Sequence, residues 1–147
     1  MRYSVEVTID WPIDEVIALF DDPTNLKLWM EGLVSFEPLS GTPGRPGAKS
    51  RLVFEENGRR IEMVETVTVR DLPREFSGTY EAKGVYNEVK NFFSASGPSK
   101  TRYVSEQYFR FGGGIRLIAF LMPGIFRKQS MKYLESFKRF AESRGKE

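Results

Sequence analysis

The sequence predicts an α+β fold in which a curved antiparallel sheet of about six to seven strands wraps around one long C-terminal helix. Three observations support this fold. An alternating apolar strand opens the chain, glycine-containing turns separate the following strands, and an apolar stripe at helical spacing closes the chain. Two short helices are expected directly after the first strand. The chain shows no repeat and no linker, so residues 1–147 are expected to form one domain.

The first strand is expected over residues 2–10, where apolar and polar residues alternate. The apolar positions are Val5, Val7 and Ile9. Pro12 suits the first turn of the helix that follows, because the N–H that proline lacks would be unpaired there. That helix is expected to end in solvent at Asp21-Asp22, since paired acidic residues usually lie in water. A second short helix, over about residues 24–30, carries Trp29.

Two turns predict how the central strands pair. Asn57-Gly58 is a strong signal for a two-residue hairpin turn, and it sets Glu56 opposite Arg59. The further pairs expected from this turn are Glu55 with Arg60, Phe54 with Ile61, Leu52 with Met63, and Ser50 with Glu65. A turn at Lys83-Gly84 gives Ala82 with Val85, Tyr80 with Asn87, Gly78 with Val89, and Phe76 with Asn91. Opposed residues share a face of the sheet, so the pairs from Phe54 with Ile61 to Ser50 with Glu65, together with those of the second turn, define its inner side.

The last strand and the final helix follow the loop at residues 96–100. With an odd number of residues in that loop, the pairs are Phe93 with Tyr103, Asn91 with Ser105, and Val89 with Gln107. An even number would turn the strand over, because side chains alternate with a period of two. After Gly112-Gly113-Gly114, the final helix is expected over about residues 124–143. Its inward stripe is Phe126, Ser130, Tyr133, Leu134, Phe137 and Ala141.

The composition excludes several classes of chemistry. The sequence contains neither cysteine nor histidine. Disulfides, thiolate nucleophiles and Cys-based metal sites are therefore absent, and so is the commonest general base. Because no spaced acidic cluster replaces these ligands, neither a metal nor a cofactor is expected. The net charge of +2 gives no reason to expect a nucleic-acid partner.

The apolar segments are too short or too interrupted for a membrane span. The longest one, from Ile115 to Phe126, contains Arg116, Pro123 and Gly124. The N-terminus begins as a strand rather than as a signal peptide, so a cytoplasmic location is expected. The basic face of the final helix is expected to be solvated, and transient contact with a membrane surface or an acidic partner is the alternative.

The inner face of the predicted sheet carries both large apolar and polar side chains. The apolar set is Leu52, Phe54, Ile61, Met63, Val67, Val89, Phe93, Phe109 and Phe111, which would either form a solid core or line a pocket. The polar set is Glu65, Tyr80, Asn87, Asn91, Tyr103, Ser105 and Gln107. Unpaired burial costs about 1–3 kcal/mol for each polar group. This set therefore indicates a wet or ligand-filled cavity, or else groups that pair with one another or lie at the rim.

These expectations define a candidate ligand-binding set. Its members are Trp29, Leu52, Phe54, Met63, Glu65, Tyr80, Asn87, Asn91, Tyr103, Gln107 and Phe109. Trp29 is expected either to anchor packing at a helix-to-strand corner or to touch the ligand. Glu65 is the one weak candidate for a catalytic residue, because it is the single acidic side chain that the register places inside.

Three stretches carry a resemblance to a known superfamily. They are VTIDWPIDEVIALFDDPTNLKLWMEGLVSFEPLSG, GRPGAKSRLVF and TRYVSEQYFRFGGGIRLIAFLMPGIFRKQSMKYLESFKRF. Their layout resembles the START-like, Bet v 1-like (SRPBCC) superfamily with its helix-grip fold, and most of all the polyketide cyclase/dehydrase-like branch. The resemblance implies this fold over nearly the whole chain. Members include carriers of lipids and other hydrophobic ligands, cyclases, hormone receptors and partners of chaperones, so the likeness leaves the activity open.

Three functions remain open at this point. The first is non-catalytic binding or transport of a small hydrophobic or amphipathic molecule, such as a lipid, an isoprenoid or an aromatic polyketide-like compound. The second is a cyclase, dehydratase or hydrolase in which Glu65 is the base and Tyr80 or Tyr103 the acid or oxyanion donor. The third is a protein-interaction module with a collapsed cavity. Neither the ligand nor the oligomeric state follows from the sequence.

Overall fold

The strands form where apolar and polar residues alternate, and most of them break at turns that contain glycine. In the computed structural model, which describes residues 1–145, they form one antiparallel sheet in the order β1-β7-β6-β5-β4-β3-β2. The strands are β1 (Arg2–Ile9), β2 (Leu33–Ser40), β3 (Lys49–Glu56), β4 (Arg59–Asp71), β5 (Glu75–Ala82), β6 (Val85–Ala95) and β7 (Thr101–Phe111). The predicted antiparallel sheet is therefore confirmed, with seven strands.

The helices flank the sheet at both ends of the chain. They are α1 (Ile13–Phe20), a 3-10 turn (Pro23–Asn25), α2 (Leu26–Trp29), α3 (Gly113–Leu121) and α4 (Gly124–Gly145). The long α4 confirms the predicted final helix. The predicted second helix is split, because Asp22 Oδ1 accepts a hydrogen bond from the Thr24 N–H at 3.0 Å and caps the 3-10 turn. Within residues 1–145, none of the helices is long and apolar enough to cross a membrane.

Pro12 lies one residue before the position that the sequence predicted for it. It caps α1 with extended backbone, and its carbonyl accepts the first helical hydrogen bond, from the Val16 N–H at 3.0 Å. Proline is tolerated at this position because an N–H there would have no helical hydrogen-bond partner, which is also why the first turn was expected to accept it.

Both hairpin registers agree with the sequence prediction. Asn57 and Gly58 have φ values of 51° and 74°, the left-handed pair that a type I′ turn requires. Glu56 lies opposite Arg59 and Ser50 opposite Glu65, while Tyr80 lies opposite Asn87 in the second hairpin. The loop before β7 has the odd length, so that Phe93 meets Tyr103, Asn91 meets Ser105, and Val89 meets Gln107. The inner face of the sheet was thus predicted correctly over β3, β5, β6 and β7.

The main hydrophobic core lies at the β1 end of the sheet. The buried face of β1 meets the stripe of α4 on Leu134, Phe137 and Ala141. Phe137 is fully buried, and its ring centroid lies 5.0 Å from that of Trp29 and 5.6 Å from that of Phe20. One aromatic side chain therefore joins α1, α2 and α4 into a single unit.

Replacing Phe137 by alanine is expected to remove the centre of this core. A buried Phe-to-Ala change costs about 3–5 kcal/mol, which corresponds to a fall in Tm of about 6–20 °C for a domain of this size. Thermal unfolding followed by circular dichroism measures it. Phe140→Ala, a half-buried residue on the same helix, is the matched control and should lower Tm much less. Equal losses in the two variants would contradict this location of the core.

Candidate functional site

A cavity of about 720 Å³ lies between α4 and the inner face of the sheet. It exists because α4 packs on β1 and α2 and makes few contacts with β3 to β6. The inner side chains of those strands therefore face open space. Pockets that hold small molecules usually have volumes of about 300–1,000 Å³, so this cavity has the size of a ligand site.

Every residue of the candidate set from the sequence lines this cavity. From the sheet these are Leu52, Phe54, Met63, Glu65, Tyr80, Asn87, Asn91, Tyr103, Gln107 and Phe109, and from α2 the residue is Trp29. Of the other apolar residues expected inside, Ile61, Val67 and Val89 also line it. Two do not. Phe93 lies in the main core, 4.5 Å from the Tyr103 ring, and Phe111 stacks on Phe109 at 5.4 Å.

Glu65 and Tyr80 form a hydrogen-bonded pair inside the cavity. They face each other across β4 and β5, and the Tyr80 hydroxyl donates to Glu65 Oε2 at 2.7 Å. Burial raises the pKa of the Glu65 carboxyl, and the hydrogen bond from Tyr80 opposes this in part. Burial and the nearby carboxylate together raise the pKa of Tyr80 well above its usual value, so the phenol stays neutral.

Arg51 on β3 and Arg110 on β7 do not pair with Glu65. Arg51 pairs with Glu37 at 3.3 Å on the outer face, and the Arg110 guanidinium lies 4.4 Å from the Tyr86 ring centroid. Glu65 is therefore a half-buried carboxyl whose hydrogen-bond partner is a neutral phenol. Such an environment favours the protonated form more than water does.

The remaining polar residues of the wall hydrogen-bond to one another. The Tyr103 hydroxyl donates to Asn91 Oδ1 at 3.0 Å. Asn87 Nδ2 donates to Gln107 Oε1 at 3.1 Å, and Gln107 Nε2 donates to Ser105 Oγ at 2.7 Å. The sequence left two alternatives for these polar side chains, that they line a cavity or that they pair with one another. In the structure they do both. These groups line the cavity and are paired with one another, whereas the buried Trp29 Nε1–H has no hydrogen-bond partner among the described residues.

One end of the cavity lining is charged and partly exposed. Arg70 holds Asp21 through two hydrogen bonds, Nη1 to Oδ1 at 2.8 Å and Nη2 to Oδ2 at 2.6 Å. Arg70 Nη1 also lies 3.4 Å from the carbonyl oxygen of Gly44, in the loop between β2 and β3. Asp21 therefore ends α1 at an exposed position, as expected, and also pairs with Arg70. No local sequence pattern indicated a pair 49 positions apart.

The sequence prediction also missed the wall that α4 supplies as cavity lining. Phe126, Gln129, Ser130, Tyr133 and Leu134 face the sheet across the cavity. The helical stripe was visible in the sequence, but it does not separate residues that touch the sheet from residues that face an open space. Trp29 is 6% exposed and lies within 6.1 Å of the Phe20 ring and 5.0 Å of the Phe137 ring. It anchors packing while one surface borders the cavity.

With this geometry described, the chain can be compared with known proteins. A family model described as "Polyketide cyclase / dehydrase and lipid transport" matches residues 1–139. The chain belongs to this family. None of the curated protein sequences compared with it matches. Members of the polyketide cyclase/dehydrase and lipid transport family share the layout that the sequence indicated.

Solved structures with the same fold confirm the START-like, Bet v 1-like helix-grip architecture. A conserved protein from Geobacillus kaustophilus superposes with a TM-score of 0.82 at 14% identity, covering 97% of this chain and 96% of that one. An aromatase/cyclase from Streptomyces sp. R1128 gives 0.80 at 15% identity, covering 98% and 94%. A START superfamily protein from Mycobacterium smegmatis gives 0.74 at 15% identity, covering 97% and 95%. These TM-scores establish a shared fold.

Glu65→Gln is expected to raise the stability of this family member, and more so at high pH. The folded-state pKa of Glu65 is raised. The wild type therefore loses stability as pH rises from the unfolded value, about 4.3, through the folded value. The amide removes this loss and still accepts the Tyr80 hydrogen bond. At pH 8 the Tm should rise by a few degrees, at about 2–4 °C for each kcal/mol, with a smaller rise at pH 5.

Melting curves at pH 5 and pH 8 measure this difference. Glu62→Gln, at an exposed neighbouring position on β4 whose side chain is 59% accessible, is the matched control and should show little dependence on pH. A Glu65→Gln protein that is destabilised more at pH 8 than at pH 5 would mean that a cation stabilises the carboxylate. Glu65 would then be a carboxylate paired with a cation, and not a carboxyl whose surroundings favour the protonated form.

Proposed function

We propose that the protein binds and carries a small hydrophobic or amphipathic molecule in this cavity without transforming it. Lipids, isoprenoids and aromatic polyketide-like compounds belong to this class. The observation that carries the proposal is the cavity of about 720 Å³, which has apolar walls and one band of polar side chains that are already hydrogen-bonded. Lipid transport also appears in the description of the family.

The apolar walls supply the driving force for binding. A ligand that buries about 300 Å² of apolar surface gains about 7 kcal/mol at 25 cal/mol per Å², before the cost of association is subtracted. Leu52, Phe54 and Met63 from the sheet face Tyr133 and Leu134 from α4. A flat or elongated hydrophobic molecule fits between these two walls.

The polar band favours a neutral polar end on the ligand. Tyr80 and Tyr103 are phenols with raised pKa values, Asn87 and Asn91 are amides, and burial favours the protonated form of Glu65. A hydroxyl or carbonyl group can share hydrogen bonds with such a wall. A ligand with a full charge at this depth would lose its hydration without gaining an ion pair.

A neutral apolar fluorescent probe such as N-phenyl-1-naphthylamine is expected to bind the wild type with one-to-one stoichiometry. Ala82→Phe adds a ring to the cavity lining and should weaken probe binding by about tenfold or more, because overlap removes buried apolar area. Fluorescence titration measures it. Native mass spectrometry of the purified protein, followed by extraction, would identify any molecule retained through purification.

The matched control is Ala95→Phe, which adds the same ring at an exposed position on β6. It should leave probe affinity unchanged, and both variants should melt as the wild type does. Gly78 is not a usable filling position, because a Cβ there would lie 2.8 Å from the backbone oxygen of Thr66. If the wild type takes up no probe, or Ala82→Phe binds as tightly as Ala95→Phe, the carrier proposal fails.

A second candidate, a cyclase or dehydratase, is favoured by the Glu65–Tyr80 pair. The Tyr80 hydroxyl lies 2.7 Å from the Glu65 carboxylate inside a ligand-sized cavity. A carboxylate with a raised pKa can remove a proton next to a carbonyl, and a neutral phenol can donate a hydrogen bond to the developing oxyanion. The Streptomyces aromatase/cyclase, at 15% identity, offers a fold-level parallel.

A turnover screen separates this candidate from the carrier. Aromatic and aliphatic β-hydroxy ketones would be incubated with the wild type, and dehydrated or cyclised products would be detected by mass spectrometry. A carrier gives no product. If product forms, and Glu65→Gln abolishes its formation while Glu62→Gln does not, the protein is an enzyme and the carrier proposal is wrong. An interaction module with a collapsed cavity is not proposed, since the cavity is open.

A further inference from the structure

The helix α3 is apolar on nearly all sides, and the protein covers only a narrow stripe of it. Ala119 is buried, and Ile115, one turn earlier, is half-buried beside the β5–β6 turn. The residues that face solvent are Leu117 (61% exposed), Ile118 (49%), Phe120 (81%) and Leu121 (65%), followed by Met122 (54%) and Ile125 (44%). We call these six residues the α3 patch.

The α3 patch is unusual for a surface. Of the eleven large hydrophobic side chains that are exposed within residues 1–145, six lie in this stretch of nine residues. A helix that is apolar all round is normally buried in a core, and a contiguous exposed apolar patch marks an interaction site. Burial of Phe120 and its neighbours therefore requires a partner surface.

The charges next to the patch along the sequence have one sign. Between Glu106 and Glu135 the sequence has no acidic residue, and its charged residues there are Arg110, Arg116, Arg127, Lys128 and Lys132. Lys132 pairs with Glu31 at 3.1 Å, and Arg110 stacks on Tyr86. Within the part of the chain that the structure describes, Arg116, Arg127 and Lys128 are exposed and form no ion pair. These three cations border the apolar residues.

We propose that the α3 patch docks on the surface of an anionic lipid bilayer, with α3 lying in the plane of the interface. Its apolar side chains would enter the boundary between head groups and acyl chains, while Arg116, Arg127 and Lys128 contact anionic head groups. This combination of apolar and basic residues is what interfacial helices use. Nine residues of helix are enough for this position, since an interfacial helix does not span the bilayer.

The charges also argue against a second copy of this chain as the occupant. A two-fold interface would bring the same patch of both molecules together. Arg116, Arg127 and Lys128 would then meet their own copies, with no acidic residue in the same segment between Glu106 and Glu135, and like charges in contact oppose association. An anionic bilayer satisfies both the apolar residues and the cations.

The α3 patch lies directly before a cavity-lining residue in the sequence. Phe126 follows Ile125 directly, lies 5.3 Å from the Phe109 ring and lines the cavity. A docked α3 therefore holds this part of the cavity wall at the lipid surface. The docking proposal itself stands on the exposed residues and their charges, and it holds whatever the cavity contains.

The test uses the full chain and two kinds of vesicle. One is pure phosphatidylcholine, and the other contains about one quarter phosphatidylglycerol. In about 0.1 M NaCl the protein should co-sediment with the anionic vesicles and bind the neutral ones at least about tenfold more weakly. Raising the salt to about 0.5 M should weaken binding to the anionic vesicles, because surface charges are then screened.

Two variants and two matched controls locate the contact. Phe120→Ser should weaken binding to anionic vesicles by about tenfold, since one large side chain no longer enters the interface. The double variant Arg127→Glu, Lys128→Glu should weaken it by about tenfold or more. The controls are Leu28→Ser, an exposed leucine (57%) on α2, and Arg59→Glu, an exposed arginine in the β3–β4 hairpin. Both should bind as the wild type does.

The outcomes are distinct. All of these side chains are exposed, so the variants should melt near the wild-type Tm, and size-exclusion chromatography with light scattering reports their oligomeric state. Binding to anionic vesicles that both variants lose and both controls keep supports the proposal. No binding, or binding that Phe120→Ser retains, overturns it. A wild-type dimer that Phe120→Ser converts to monomer, without vesicle binding, would identify a second copy as the occupant and would also overturn it.

Discussion

The packing of α4 against one end of the sheet is the constraint on which the rest of the structure depends. The buried face of β1 and the short helices α1 and α2 enclose Phe137, Leu134 and Ala141, and this contact holds the helix in place. Because α4 packs at that end of the sheet, it makes few contacts with β3 to β6. The inner side chains of those strands then face open space, and a cavity of about 720 Å³ follows.

A cavity of this kind persists only if its polar walls are satisfied without a ligand. Each unpaired buried polar group would cost about 1–3 kcal/mol, which is large against the stability of a small domain. The hydrogen bonds Tyr80–Glu65, Tyr103–Asn91 and Asn87–Gln107 remove most of that cost. They also leave the wall adaptable, since hydroxyl and amide groups can exchange a partner on the protein for one on a ligand.

The chain combines a family fold with features of its own. The polyketide cyclase/dehydrase and lipid transport family includes both catalytic and carrying functions in its description, and the chain lacks every histidine that could act as an acid or base. Glu65, the half-buried carboxyl of the cavity wall with a raised pKa, is already hydrogen-bonded to Tyr80. The apolar helix α3 is bordered by cations and is the largest apolar feature that the fold leaves uncovered within residues 1–145. Ligand binding in the cavity and docking of the α3 patch therefore depend on different residues.

Short-range rules in the sequence were enough to predict much of the sheet. Asn57-Gly58 and Lys83-Gly84 each set a register, and because strand side chains alternate with a period of two, each register decided which residues face inward. The candidate ligand-binding residues on β3 to β6 line the cavity for this reason. The apolar period of α4 likewise determined which stripe of the helix is inward.

Which inward residues meet one another depends on long-range packing that the sequence pattern does not reveal. Glu65 lies opposite Tyr80 through pairing of β4 with β5, where the register shifts between Val67 and Val69, and an alternation of period two cannot be extended through such a shift. The Asp21–Arg70 pair and the α4 wall join residues that are far apart in sequence, so no local pattern encodes them. The exposure of α3 could not be predicted from the sequence either. Apolar residues at helical spacing have the same pattern whether or not the fold supplies a surface that covers them.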